Sequence, residues 1–144
     1  MRKMSTILTM LQYTAWLFLI PLGGCVSMTT KPTLVGTQWR LLEVEGTPLQ
    51  TSGGSSASLE LLAEGNRYAA SAGCNRMLGT YQLAGESLQF LPGPMTKMAC
   101  PGALGQLEDQ LIAALRSVTG YRIDGEQLDL LAGERVVVRL TAPR

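Results

Sequence analysis

The 144-residue chain contains no histidine. That absence removes the commonest general base, the Ser-His and Cys-His nucleophile systems and every histidine metal site. Cysteine is scarce, at three residues, Cys25, Cys74 and Cys100. Cys25 stands apart behind an apolar N-terminal stretch, and the other two cannot build a tetrahedral thiolate zinc site alone. Charge is sparse and balanced, with 12 basic against 11 acidic residues. Arg67, Arg76, Lys97, Arg116, Arg122, Arg135 and Arg139 are scattered among acids and read as solvated faces. Such a balance leaves no electrostatic footprint for nucleic acid. There is no internal repeat, and low complexity is confined to Thr51-Ser52-Gly53-Gly54-Ser55-Ser56.

What is present begins with Met1-Arg2-Lys3, a short positive region, followed by an apolar run from Ile7 to Ile20. This is the pattern of a secretory signal, too short and badly flanked for a stable membrane span. Leu22-Gly23-Gly24-Cys25 then matches the lipobox of bacterial lipoproteins. Small residues fit the narrow cleft of a signal peptidase, and the Cys25 thiol accepts diacylglycerol. The alternative is an ordinary secretory signal cleaved elsewhere, with Cys25 incidental. Several acyl chains on one residue exceed the marginal hold of a single chain, so anchoring is expected to be stable. Val26 stands where an Asp would signal inner-membrane retention, which directs the expectation to the outer membrane, periplasmic face. The expected divisions are a signal peptide over 1–24, a lipid-anchored tether over 25–34 and one domain over 35–144. The 120 residues from Cys25 onward suffice for one compact domain and not two.

Beyond the tether, short alternating runs separated by turn residues predict antiparallel strands. They fall at Trp39 to Val44, around Leu59 and Leu61, at Arg67 to Ala72, Gly79 to Leu83, Leu88 to Phe90, Gln127 to Leu131 and Arg135 to Leu140. Gly65-Asn66, Ala84-Gly85-Glu86 and Ala132-Gly133-Glu134 supply turns, and Pro92, Gly93 and Pro94 are expected to break the pattern before Met95 to Met98. In the last run Val136 and Val138 alternate with their neighbours, so one face is expected to be buried. Leu104, Leu107, Leu111, Ala114, Leu115 and Val118 instead recur at helical spacing between Pro101 and Gly120. The fold class is α+β, mainly β: a curved antiparallel sheet or incomplete barrel of about eight strands with one helix across it.

Cys74 and Cys100 fit no zinc or thioredoxin spacing. In an oxidising periplasm they read as a disulfide, worth about 3–4 kcal/mol by loop closure, or else as two buried free thiols. At these residues the chain resembles the META domain family, including HslJ-like bacterial lipoproteins. The resemblance rests on Gly36-Thr37-Gln38-Trp39-Arg40-Leu41, Gly73-Cys74-Asn75-Arg76 and Thr96-Lys97-Met98-Ala99-Cys100, continuing into Glu108, Leu115 and the closing strands from Tyr121. It covers about residues 34–141. The residues read as architecture. Gly73 permits a sharp turn, Asn75 bonds neighbouring backbone, and Trp39 anchors the core with an indole N–H that needs a partner. Thr96 is expected to bond backbone near Cys100. Glu108 is expected to face the helix N-terminal dipole.

The resemblance implies a compact β structure with one helix, associated with envelope stress, heat induction, novobiocin tolerance and secretion or virulence. It carries no catalytic mechanism and no cofactor. The leading expectation is a monomeric, non-enzymatic outer-membrane lipoprotein that binds an envelope protein partner. A second is a carrier of an apolar small molecule or acyl chain, with Leu107, Leu111, Leu115, Val136 and Val138 lining a pocket between helix and sheet. The same five residues also read as simple core. An enzyme is the third. Glu108-Asp109, its candidate carboxylates, reads as solvated surface because helix neighbours point in different directions.

Overall fold

The computed structural model describes residues 31–49 and 57–143. The signal segment, Cys25, most of the tether and the Gly/Ser loop lie outside the described residues. Nine strands occur in the order β1 (Gln38–Val44), β2 (Thr47–Pro48), β3 (Ser58–Leu62), β4 (Arg67–Ser71), β5 (Arg76–Ala84), β6 (Ser87–Met95), β7 (Gly120–Asp124), β8 (Gln127–Ala132) and β9 (Arg135–Thr141). Among the described residues one α-helix, α1 (Ala103–Ser117), connects β6 to β7. All strand pairs are antiparallel, and each strand pairs with its sequence neighbour except that β1 reaches past β2 to β3. Pairing of β1 with β9 closes the sheet into a ring, with β2 a short stub beside β1.

Turn chemistry sets this meander. Gly85-Glu86, Gly125-Glu126 and Gly133-Glu134 each join two strands, and each glycine has φ near +60°, the first-position requirement of a tight hairpin. Glu45 and Gly46 both take positive φ between β1 and β2. Inside the ring, Trp39, Leu41, Leu59, Leu61, Tyr68, Leu88, Leu128, Leu130 and Leu140 are fully buried. The Trp39 indole N–H donates to the Leu34 carbonyl at 3.1 Å, meeting the demand that burial places on it. Leu34, placed at the end of the tether by the sequence reading, is itself buried in the core. Burial pushes the Tyr68 phenol above its usual range, partly countered by the charge of Arg116. Helix α1 buries Leu111, Ala114 and Leu115 against the ring and packs on β6, β9 and β1.

Four details depart from the sequence reading. Strand β6 runs through Pro92 and Pro94 instead of breaking there. Leu88 N–H points away from β5, to the Thr119 carbonyl, so by alternation the missing N–H of Pro92 lies on that same side and no β5 bond is lost. Pro94 falls in the irregularity between Gly79↔Pro92 and Met77↔Met95. Gly120–Asp124 forms a strand absent from the predicted runs, although Tyr121 and Ile123 alternate with exposed Arg122 and Asp124 and pack against the core. In β9, Leu130 pairs with Val138 and Leu131 with Val136, leaving Val137 as a bulge. Val137 and Val138 are therefore buried together while Val136 is half-buried. Finally, the scattered charges are not all free. Arg122, Asp129, Arg139 and Glu43 form a cross-strand row over β7, β8, β9 and β1. Asp129, buried, binds Arg122 and Arg139 at 3.0 Å each, and Arg139 reaches Glu43 at 3.4 Å. The hydrogen bond and charge of Asp129 hold Arg139 above even its usual range. Arg135 pairs with Glu45.

At one place the ring has no room for a side chain. Tyr68 pairs with Gly79 across β4 and β5, and a Cβ on Gly79 would lie 2.4 Å from both the Tyr68 ring and the Leu91 carbonyl oxygen. Gly79→Ala is expected to cost about 1–3 kcal/mol, read as a lower urea midpoint at unchanged m. Gly105→Ala, on α1 where the added methyl meets open space, is expected to gain about 0.5–1 kcal/mol.

Candidate functional site

The densest buried polar cluster in the described residues lies where the β4–β5 turn, the segment after β6 and the second turn of α1 meet. Gly73, at φ 108°, turns the chain out of β4, and its N–H donates to Ser71 Oγ at 3.0 Å. This turn carries Cys74 and Asn75 inward. Cys74 and Cys100 are joined in a disulfide with Cα atoms 5.9 Å apart, which decides between the bonded pair and free thiols.

Asn75 is the hub. Its side-chain oxygen accepts from Met98 N–H at 2.8 Å and from Thr96 Oγ1 at 3.0 Å. Its amide nitrogen donates to the Met98 carbonyl at 3.2 Å and to Glu108 Oε1 at 2.9 Å. The Asn75 backbone N–H donates to Glu108 Oε2 at 3.0 Å. Both acceptor and both donor capacities of the amide are thus spent. Among the described residues no buried side-chain nitrogen or oxygen lacks a partner.

Several expectations change here. Glu108 is neither solvated surface nor a first-turn dipole partner: it is buried, one turn further along α1, with both oxygens on Asn75. Thr96 does not bond backbone near Cys100; its hydroxyl accepts from Arg76 N–H at 2.9 Å and donates to Asn75. Asn75 bonds backbone as expected, but the backbone of Met98, brought in from after β6. Met98 contributes only that backbone, its side chain being exposed. Arg76 likewise lends its N–H while its side chain lies on the outer face. Trp39 belongs to the core and not to this cluster. A sequence signal for Glu108 existed: it stands four residues after Leu104 and three before Leu111, on the stripe that α1 buries.

The five residues considered for an apolar pocket do not gather around a recess. Leu111, Leu115 and Val138 belong to the filled core, Leu107 packs at its margin, and Val136 is half-buried. Two recesses formed by described residues lie on the outer face of the sheet and are lined by none of the five.

The donor atoms of Cys74, Cys100 and Glu108 do lie within 4.8 Å of one another. Sulfurs joined in a disulfide offer no thiolate, and the Glu108 oxygens are occupied by Asn75. In this oxidised state the cluster is a latch fastening α1 to the ring. Asn75→Ala is expected to cost about 2–3 kcal/mol, because it leaves the buried Glu108 carboxylate and the part-buried Met98 N–H with fewer partners. Adding Glu108→Leu in the same chain is expected to recover part of that loss, a non-additivity read from urea unfolding of the two singles and the double. Reduction of the disulfide is expected to lower stability by about 3–4 kcal/mol by the same measurement.

Solved structures with this architecture exist. A protein from Burkholderia xenovorans, solved by NMR, is 27% identical with a TM-score of 0.57 over 76% of this chain and 83% of its own. A second NMR structure shares 19% identity at a TM-score of 0.58, covering 75% of this chain and 90% of that one. A crystal structure of a DUF4847 family protein from Bacteroides vulgatus shares 14% identity at 0.53, covering 75% and 93%. The last two likenesses bear on fold alone. No curated protein matches the chain. The model of the META domain matches residues 32–143, from the segment that receives the Trp39 indole to the end of β9, and the chain therefore belongs to the META domain family.

Proposed function

We propose that this protein is a non-enzymatic lipoprotein of the outer membrane, facing the periplasm, that binds an envelope protein and supports stress or novobiocin tolerance. The observation that carries the reading is the saturation of the Asn75–Glu108 cluster. The side chains placed most nearly like a reaction centre spend their hydrogen-bonding capacity on one another. A rigid, filled ring of this kind suits recognition by its outer surface. The lipobox-like Leu22-Gly23-Gly24-Cys25 supports the proposed address, and the resemblance to HslJ-like lipoproteins supports the proposed link to stress.

The test compares a deletion strain with a Cys25→Ser strain under heat and novobiocin. Equal sensitivity in both, with the wild type resistant, is the expected outcome and ties function to anchoring. Growth of both strains like the wild type would overturn the stress reading.

A further inference from the structure

A second row of residues crosses the ring on its outer face, and it is built unlike the one centred on Asp129. Arg40 pairs with Ser58, Ser58 with Ser71 and Ser71 with Arg76, so four side chains stand in line over β1, β3, β4 and β5. Their inward neighbours Trp39, Leu41, Leu59, Ala70 and Met77 are buried, which fixes the row on the outside. Two small residues between two long ones leave a trough. A recess of about 260 Å³, lined by Gln38, Ser58, Glu60, Ser71 and Arg76, continues into one of about 160 Å³ that Arg40 also lines.

The electrostatics of this row are unbalanced. All 11 acidic residues lie within the described segments, and among the described residues neither Arg40 nor Arg76 forms a salt bridge. Three strand intervals at ~4.8 Å put the two arginine Cα atoms about 14 Å apart, a span that two guanidinium side chains can close over the serines. Ser71 Oγ accepts from Gly73 N–H at 3.0 Å, which leaves its hydroxyl proton to donate outward. Guanidinium forks flanking hydroxyl donors are the chemistry that recognises a phosphate oxygen. Glu60, one row along beside Gln38, adds a single acceptor at the edge of the same recess. The trough is thus cationic at two ends with a carboxylate to one side. That pattern fits a phosphodiester whose alcohol part carries a hydrogen-bond donor.

The position of the trough selects the source of such a group. It opens beside the first residues of β1, where the chain enters the fold. The ten residues from Cys25 to Leu34, nine Cα–Cα steps, span at most about 30 Å. An acylated Cys25 would therefore keep this face within reach of a bilayer surface.

We propose that the trough between Arg40 and Arg76 is a headgroup site for a glycerophospholipid, with the phosphate on the two arginines and serines and a hydroxyl or ammonium of the headgroup on Glu60. The choice of a lipid over a free phosphate ester rests on the lipoprotein reading; the phosphate chemistry does not. Binding here would orient the domain on the membrane, presenting the opposite side of the ring to a protein partner.

The test uses residues 26–144 without a lipid anchor, since the whole core lies between Leu34 and Ala142. Co-flotation with phosphatidylglycerol vesicles at about 0.15 M salt is expected to show binding, weaker on phosphatidylcholine, which keeps the phosphate but lacks the donor. Arg40→Gln with Arg76→Gln is expected to reduce binding about tenfold or more, while Arg67→Gln, two rows away on the same face, stays within about twofold. Circular dichroism of each variant checks that the fold is intact. Equal losses for all three arginines would mean unspecific attraction and overturn the site. Titration with glycerol phosphate but no vesicle binding would overturn the lipid source. Mass spectrometry of the full chain from cells reads Cys25 acylation separately, so an acylated protein whose trough ignores vesicles refutes this inference and leaves the anchor standing.

Discussion

A buried carboxylate with no ion-pair partner among the described residues holds this structure in its final arrangement. Glu108 takes both of its hydrogen bonds from Asn75, and Asn75 in turn grips the chain at Met98 and Thr96. The importance of the grip follows from the topology. The ring is continuous except between β6 and β7, which pair at a single position, Ser87↔Gly120. Helix α1 is the connection between those two strands, and its packing on β6, β9 and β1 carries what strand pairing does not supply. The disulfide fixes the chain three residues before the helix begins, and Glu108 fixes its second turn. Two anchors close together on one segment define the direction of a helix, where one would leave it free to pivot.

Much of this was legible in the sequence, and the rest was hidden for identifiable reasons. Strand alternation is visible wherever one face meets the core, so β1, β3, β4, β8 and β9 stand out. In β7 it is present but spans only Tyr121 to Asp124, too short a run to stand out beside the end of α1, and it fails at Val137, where a bulge resets the parity of the strand. Proline punctuation misleads in β6 because its effect depends on which edge of the strand faces a partner, a fact of pairing and not of sequence. The cluster was half legible. Asn75, Thr96 and Glu108 stand out as motif residues, but their mutual bonds span 21 to 33 positions and only the folded chain brings them together. Glu108 was misjudged because a charge on a helix is usually solvated; its place on the apolar stripe was the better guide.

The two cross-strand rows show how a ring this small separates structural charge from available charge. Over β7, β8, β9 and β1 the signs alternate, and the charges neutralise one another around the buried Asp129. Over β1, β3, β4 and β5 the cations stand at the ends with hydroxyls between them. The neutralised row has little charge left to offer a ligand, and its buried Asp129 depends on Arg122 and Arg139 for its ion-pair partners. An unneutralised row retains its charge for something else.

The orientation of Pro92 has a consequence for the protein outside its own fold. Where β6 parts from β7, a bare strand edge would offer N–H groups to any extended chain that approached. On that edge the position of Pro92 presents a ring methylene in place of a donor. The edge of β6 that faces away from β5 is thus also a poor template for intermolecular pairing. The chain thereby gains a guard against sticking to its own copies at the place where, among the described residues, its ring is least complete.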